Sequence, residues 1–161
     1  MGIVPQHVGF IVDGNRRWAK ERGLKPYEGH YAGYDALKEV IIDCIGRGIP
    51  YVTAYVFSTE NWKRNPIEVK KLMELTLRVF EEDLHIFQEH NIRLSVIGSR
   101  KKPLSNALIA AIDKAEDATK ANTSGRVMLC LNYGGRQELV DAYASMMADG
   151  ITQDDVTATT L

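Results

Sequence analysis

Four short apolar runs, His7 to Val12, Tyr51 to Phe57, Ile92 to Ile97 and Val127 to Leu131, punctuate this chain. Each is rich in β-branched or aromatic residues and is bounded by polar or turn residues, as buried strands are. Between them the apolar residues recur at helical spacing. One stripe is Tyr34, Leu37, Val40, Ile41, Cys44 and Ile45, and a second is Leu72, Leu75, Thr76, Val79, Phe80, Leu84 and Phe87. A third runs Leu104, Leu108, Ala111, Ile112 and Ala115, and a fourth Leu139, Val140, Tyr143, Met146 and Met147. Such spacing places each set on one helix face. Strands that alternate with helices require right-handed crossovers and parallel pairing, so the predicted fold is α/β, a parallel β-sheet flanked by helices. Asn65-Pro66 starts one helix, expected to run from Pro66 to Glu89, because proline fits a first turn where its missing N–H is not needed. Gly46 and Gly48 end the helix before it.

Ligands of open parallel sheets bind beyond the carboxyl ends of the strands, where the following loops converge. Those loops read Asp13-Gly-Asn-Arg-Arg-Trp18, Ser58-Thr-Glu-Asn-Trp-Lys-Arg64, Gly98-Ser-Arg-Lys-Lys102 and Asn132-Tyr-Gly-Gly-Arg136. Ionisable and aromatic residues are therefore gathered at one sheet edge.

Composition excludes several classes. The 161 residues suit one domain, with no internal repeat, low-complexity tract or linker. Twenty Lys and Arg against 21 Asp and Glu leave a net charge of −1, which gives no basic stripe for nucleic acid. Cys44 and Cys130 have no Cys or His at metal-ligand spacing and read as reduced packing residues of a cytoplasmic protein. No apolar run approaches membrane-spanning length. Gly-x-x-x-x-Gly-Lys-Ser/Thr and Gly-x-Gly-x-x-Gly are both missing from the sequence, which argues against the common nucleotide folds.

The segment from Asp13 to His30 carries Arg16, Arg17, Lys20, Arg22 and Lys25, with Gly14 at the turn and Gly29 and Gly33 flanking His30. Glycine lets backbone N–H groups face an anion, and arginine forks hold phosphate oxygens bidentately. Asp13, alone among these cations, suits Mg²⁺, a hard ion that shares its oxygen shell between carboxylate and substrate phosphate. The structural alternative is a solvated basic helix start with an Asp cap.

His7-x-x-x-x-x-Asp13-Gly-Asn-Arg-Arg-Trp-Ala19, Gly29-His-x-x-Gly33, Phe57-Ser-Thr-Glu-Asn-Trp-x-Arg64 and Asn132-Tyr-Gly-Gly-Arg136 resemble, in order, the motifs of the cis-prenyltransferases, whose bacterial members include undecaprenyl diphosphate synthase. The resemblance implies condensation of isopentenyl diphosphate onto an allylic diphosphate such as farnesyl diphosphate, in a homodimer with a tunnel for the growing tail. It implies Mg²⁺ at Asp13, and the allylic diphosphate on Arg17, His30 and the backbone of Gly14, Asn15 and Arg16. Asn15 and Ser58 fall near the proton lost from isopentenyl diphosphate, while Asn61, Trp62 and Arg64 order that substrate. Trp18 belongs to the first of these motifs and is placed with the substrate-binding residues. Lys25 stands beside Pro26, where many relatives carry a phosphate-binding arginine, and offers a point charge without the fork. A product of this kind also implies peripheral contact with membranes. The stripe on the Pro66 to Glu89 helix would wall the tunnel, or else pack in the core.

Relatives continue to paired arginines, a serine and an acidic residue that grip isopentenyl diphosphate and the metal. The sequence ends at Leu161 without them, so the expectation is a single domain, 1–161, truncated at its C-terminus. A competing reading is a non-catalytic fragment or partner subunit of the same fold that binds diphosphate without turnover. An all-α trans-prenyl synthase lacks support for want of paired Asp-Asp-x-x-Asp motifs, and an aspartyl phosphatase for want of Asp-x-Asp.

Overall fold

The computed structural model describes residues 4–152 together with Asp155 and Thr157. In chain order the elements are β1 (His7–Ile11), α1 (Asn15–Glu21), α2 (Pro26–Gly46), β2 (Tyr51–Ser58), a 3-10 turn (Thr59–Lys63), α3 (Pro66–Glu81), α4 (Leu84–Glu89), β3 (Ile92–Ile97), α5 (Asn106–Thr119), β4 (Gly125–Tyr133) and α6 (Gly135–Ala148). The strands form one sheet in the order β1-β2-β4-β3, and every pairing is parallel. The path from β2 to β3 steps over the place later filled by β4. In β2 the register shifts twice between Tyr55 and Ser58, a distortion at the carboxyl end that re-aims the residues entering the next loop.

One core holds the domain together. Val52 and Ala54 of β2 lie opposite Val127 and Leu129 of β4, and Leu94 of β3 lies opposite Val127. Against this face pack Ile41 and Ile45 of α2, Val79 and Phe80 of α3, Phe87 of α4 and Ile112 of α5. Each large side chain fully removed from water contributes about 1.5–3 kcal/mol. The alternate set on the sheet, Thr53, Tyr55 and Met128, is only half-buried.

Three details differ from the sequence reading. The helix expected over Pro66 to Glu89 is two helices, broken at Glu82 and Asp83. There the backbone ladder slips, since both Glu82 and Asp83 donate their N–H to Arg78 O, and the Asp83 side chain turns inward and is buried. The stripe on α6 has the right period but no partner among the described residues. Only Met146 is buried, while Leu139, Val140, Tyr143 and Met147 are more than half exposed. Arg100, in one of the strand-end loops expected to converge on a ligand, instead fastens the loop after β3 to α5 through Asp113 and through Glu116 at 2.7 Å.

The position of α1 is set by a close approach. A Cβ on Gly29 of α2 would lie 2.1 Å from the Asn15 carbonyl oxygen, so glycine is what lets the two helices touch, with Ala19 buried between them. No helix among the described residues is long and apolar enough to cross a membrane.

Candidate active site

A cavity of about 970 Å³ opens at the carboxyl edge of the sheet and runs between α2 and α3. Its outer wall is polar. Asp13, Gly14, Asn15, Arg16 and Arg17 reach it from the turn after β1, His30 from α2, and Ser58, Asn61 and Arg64 from the segment after β2. Its inner wall is apolar, with Leu37 and Ile41 of α2, Leu72, Leu75, Val79 and Phe80 of α3, Phe87 of α4, and Leu129 and Leu131 of β4.

The turn after β1 depends on Gly14, whose φ of +90° lies in the left-handed region that other residues avoid. This conformation brings the Gly14 N–H within 2.6 Å of Asp13 Oδ1, while Arg17 Nη2 donates to Asp13 Oδ2 at 3.2 Å. The Gly14 bond first, and then the Arg17 charge, hold the Asp13 carboxyl below its ordinary range. The side chains of Asp13 and Arg17 are both three-quarters exposed at the mouth.

Deeper in the wall the organising group is Glu68, in the first turn of α3. It is 7% exposed, and its Oε1 lies 3.1 Å from His30 Nε2, 3.2 Å from Arg64 Nη1 and 3.8 Å from Arg16 Nε. One buried carboxylate thus collects donors from three separate segments, α1, α2 and the loop after β2. Sequence reasoning missed it. The available signal was the spacing of four residues from Arg64 to Glu68, which on a helix reads equally as a surface pair. Burial lowers the His30 pKa, and the Glu68 contact opposes that shift without cancelling it. A carboxylate only accepts, so the neutral ring carries its proton on Nε2 and leaves the Nδ1 lone pair free of that bond.

Asn61 has a local duty as well, since its Oδ1 accepts the Ser58 N–H at 2.9 Å and closes the turn. Three expected site residues lie off the cavity wall. Trp62 donates its Nε1–H to the buried Asn132 at 2.8 Å and stacks edge-on against Phe57, which locks the loop to the end of β4. Trp18 lies beneath the Arg22 guanidinium, 4.3 Å from its ring centre. Lys25 precedes the first turn of α2, with its N–H on Glu28 Oε2, and its neighbour Pro26 lines the cavity instead.

No group of three or more His, Cys, Asp or Glu side chains that could hold a metal is found among the described residues. Asp13 nevertheless fits a cation of the Mg²⁺ type, which is commonly bound through one or two carboxylates and completed by substrate phosphates.

Fold and site together define an α/β domain that joins a cationic mouth to an apolar channel. Residues 11–161 match a family model described as "Putative undecaprenyl diphosphate synthase". An isoprenyl transferase of Corynebacterium glutamicum is 42% identical over 154 residues, 92% of this chain and 62% of that protein. A (2Z,6E)-farnesyl diphosphate-specific trans,polycis-polyprenyl diphosphate synthase of Thermobifida fusca is also 42% identical, over 91% of this chain and 52% of its own length. Among solved structures, lavandulyl diphosphate synthase of Lavandula x intermedia, in complex with dimethylallyl diphosphate, aligns with a TM-score of 0.89 at 34% identity, covering 98% of this chain and 69% of that one. The chain belongs to the undecaprenyl diphosphate synthase family of prenyltransferases. It spans between about half and two thirds of the length of these relatives.

Proposed function

We propose that this chain carries the allylic-diphosphate and tail-binding part of a cis-prenyltransferase, which joins isopentenyl diphosphate to an allylic diphosphate such as farnesyl diphosphate. The observation that carries this reading is the single cavity with arginines and His30 at its mouth and an apolar inner wall. An amphiphile with a diphosphate head and a hydrocarbon tail complements both ends at once.

In the reaction the allylic C–O bond breaks and diphosphate departs. The double bond of isopentenyl diphosphate attacks the allylic carbon, and loss of a proton sets the new cis double bond. Negative charge grows on the departing diphosphate, so donors fixed beforehand lower the barrier most. Arg17 and Arg16 supply guanidinium forks, and Glu68 fixes His30 and Arg64 so that they need not reorganise. Asp13 would hold Mg²⁺ against the head group, where the ion supplies further charge stabilisation. Ser58 and Asn15, which line the same cavity, would meet the second substrate and its departing proton. Growth of the tail into the inner cavity gains about 0.8 kcal/mol for each buried CH₂.

The test is incubation with farnesyl diphosphate, labelled isopentenyl diphosphate and Mg²⁺, followed by analysis of extracted lipids. The proposal expects label in a lengthened prenyl chain, with label lost on omission of Mg²⁺ and in Asp13→Ala. Binding of farnesyl diphosphate without elongation would instead make this chain a binding subunit. No binding would refute both.

A further inference from the structure

The loop after β2, which carries Ser58, Asn61 and Arg64 to the cavity wall, has few ties of its own to the domain. Its 3-10 turn buries no residue, and the bonds inside it, from the Ser58 N–H to Asn61 Oδ1 and from the Arg64 N–H to the Asn61 carbonyl, are local. A side chain of β4 supplies an anchor from outside. Asn132 is 4% exposed, and its strand lies between β2 and β3, so the loops that leave both of them are its neighbours. Towards β2 its Oδ1 accepts the Trp62 indole N–H at 2.8 Å, and towards β3 its Nδ2 donates to the Ser99 carbonyl at 2.9 Å. Its own carbonyl accepts the Ser99 N–H at 3.3 Å. The fit is close on both sides. A Cβ on Gly134 would lie 2.7 Å from Thr59 Oγ1, and one on Gly98 would lie 2.1 Å from the Leu131 carbonyl oxygen. Asn132 also has a φ of +50°, in the left-handed region that few residues besides glycine and asparagine enter. A residue held there at a ligand-binding edge is a pointer to function.

We propose that Asn132 is a positioning residue for the second substrate, holding the turn after β2 so that Ser58, Asn61 and Arg64 face isopentenyl diphosphate. This rests on the reading of that segment as the second substrate's side of the cavity. A carboxamide answers both neighbours at once, because Trp62 offers a donor and the Ser99 carbonyl an acceptor. A carboxylate would turn a lone pair on the Ser99 carbonyl, and an apolar side chain would leave both groups without their partner. The loop after β3 contributes nothing to the cavity wall and serves it at one remove. Arg100 pins that loop to α5 through Glu116, Ser99 grips Asn132, and Asn132 grips Trp62. Groups fixed in this way before the substrate arrives need no ordering when it binds, so more of their interaction appears as affinity.

The test titrates this chain, with Mg²⁺, first with the slowly reacting thiolo analogue of farnesyl diphosphate and then, once saturated, with isopentenyl diphosphate. Asn132→Gly keeps the left-handed backbone and removes the amide, while Trp62→Phe keeps a ring against Phe57 and removes the N–H. Each should weaken isopentenyl diphosphate at least about fivefold, the equivalent of one hydrogen bond, and leave the farnesyl analogue within about twofold of wild type. Both variants break the same bond, so the double variant should match Asn132→Gly within about twofold. Should Asn132→Gly not fold, Trp62→Phe alone carries the comparison of the two substrates. Equal losses for both substrates, or a lower Tm with isopentenyl diphosphate affinity unchanged, overturn the proposal, because Asn132 would then hold only the fold. Losses that multiply in the double variant overturn it as well, since the route would not pass through Trp62. If the wild type binds the farnesyl analogue and not isopentenyl diphosphate, the positioning role falls and the allylic reading stands. If it binds neither, both fall.

Discussion

Glu68→Ala removes the one carboxylate on which His30, Arg64 and Arg16 converge, and the structure sets the size of the effect partner by partner. His30 and Arg64 are 11% and 29% exposed at 3.1 and 3.2 Å, so both lose a charge-assisted bond away from bulk water. Arg16 is 59% exposed at 3.8 Å and loses almost nothing. Breaking a buried pair costs about 3–5 kcal/mol, and because Arg64 can turn towards solvent we expect somewhat less, about 2–4 kcal/mol. For a chain of this size that is a fall in Tm of roughly 5–15 °C. Glu68→Gln keeps an acceptor for His30 and should cost about half as much. Urea unfolding of the single and double variants, at unchanged m-value, measures the coupling energies. They should be about 1–2 kcal/mol for Glu68 with His30 and with Arg64, and below about 0.5 kcal/mol with Arg16. If Glu68→Ala stays within about 1 kcal/mol of wild type, or if Arg16 couples as strongly as His30, the buried-hub argument is wrong.

His30 should titrate below its ordinary value of 6.5 by NMR, and lower still in Glu68→Gln, where the opposing contact is weakened. Because the unfolded ring binds its proton more readily, His30 contributes full stability above pH 6.5 and loses it as pH falls through the folded pKa, and His30→Asn should flatten that slope. Bound diphosphate adds negative charge beside the ring, so calorimetry in buffers of different ionisation enthalpy should detect proton uptake that His30→Asn abolishes. Asp13→Ala and Arg17→Ala change side chains that are three-quarters exposed, so stability should stay within about 0.5 kcal/mol while farnesyl diphosphate affinity falls; a larger loss of stability than of affinity would favour a packing role. Gly29→Ala puts a Cβ 2.1 Å from the Asn15 carbonyl oxygen and should cost about 1–3 kcal/mol with loss of pyrophosphate binding, whereas unaltered thermal melting would show that α1 can shift freely.

The architecture was legible because strand and helix periods differ, and four β-branched runs between helical stripes leave few alternatives to a parallel sheet. The mouth of the cavity was legible too, since strand-end loops gather at one edge whatever the strand order. What was not legible was whatever depends on a contact that spacing alone does not show. Glu68 looks like an ordinary first-turn acid until His30, 38 positions earlier, is seen against it. Asp83 sits within a continuous apolar period, and its burial is intelligible only once the Tyr34 hydroxyl, 49 positions earlier, is seen donating to it. Trp62 and Trp18 combine an apolar body with a polar tip, so spacing cannot tell a substrate contact from the Asn132 and Arg22 contacts they make. On α6 the period was real, but a period says which residues share a face and not whether anything covers it.

The most direct measurement is a crystal structure of this chain with Mg²⁺ and the slowly reacting thiolo analogue of farnesyl diphosphate. The account predicts the diphosphate against Arg17, His30 and the Gly14 turn, with the tail lying between α2 and α3 over Leu72 and Val79. A diphosphate bound elsewhere, or a tail left outside with α2 and α3 closed upon each other, would contradict it.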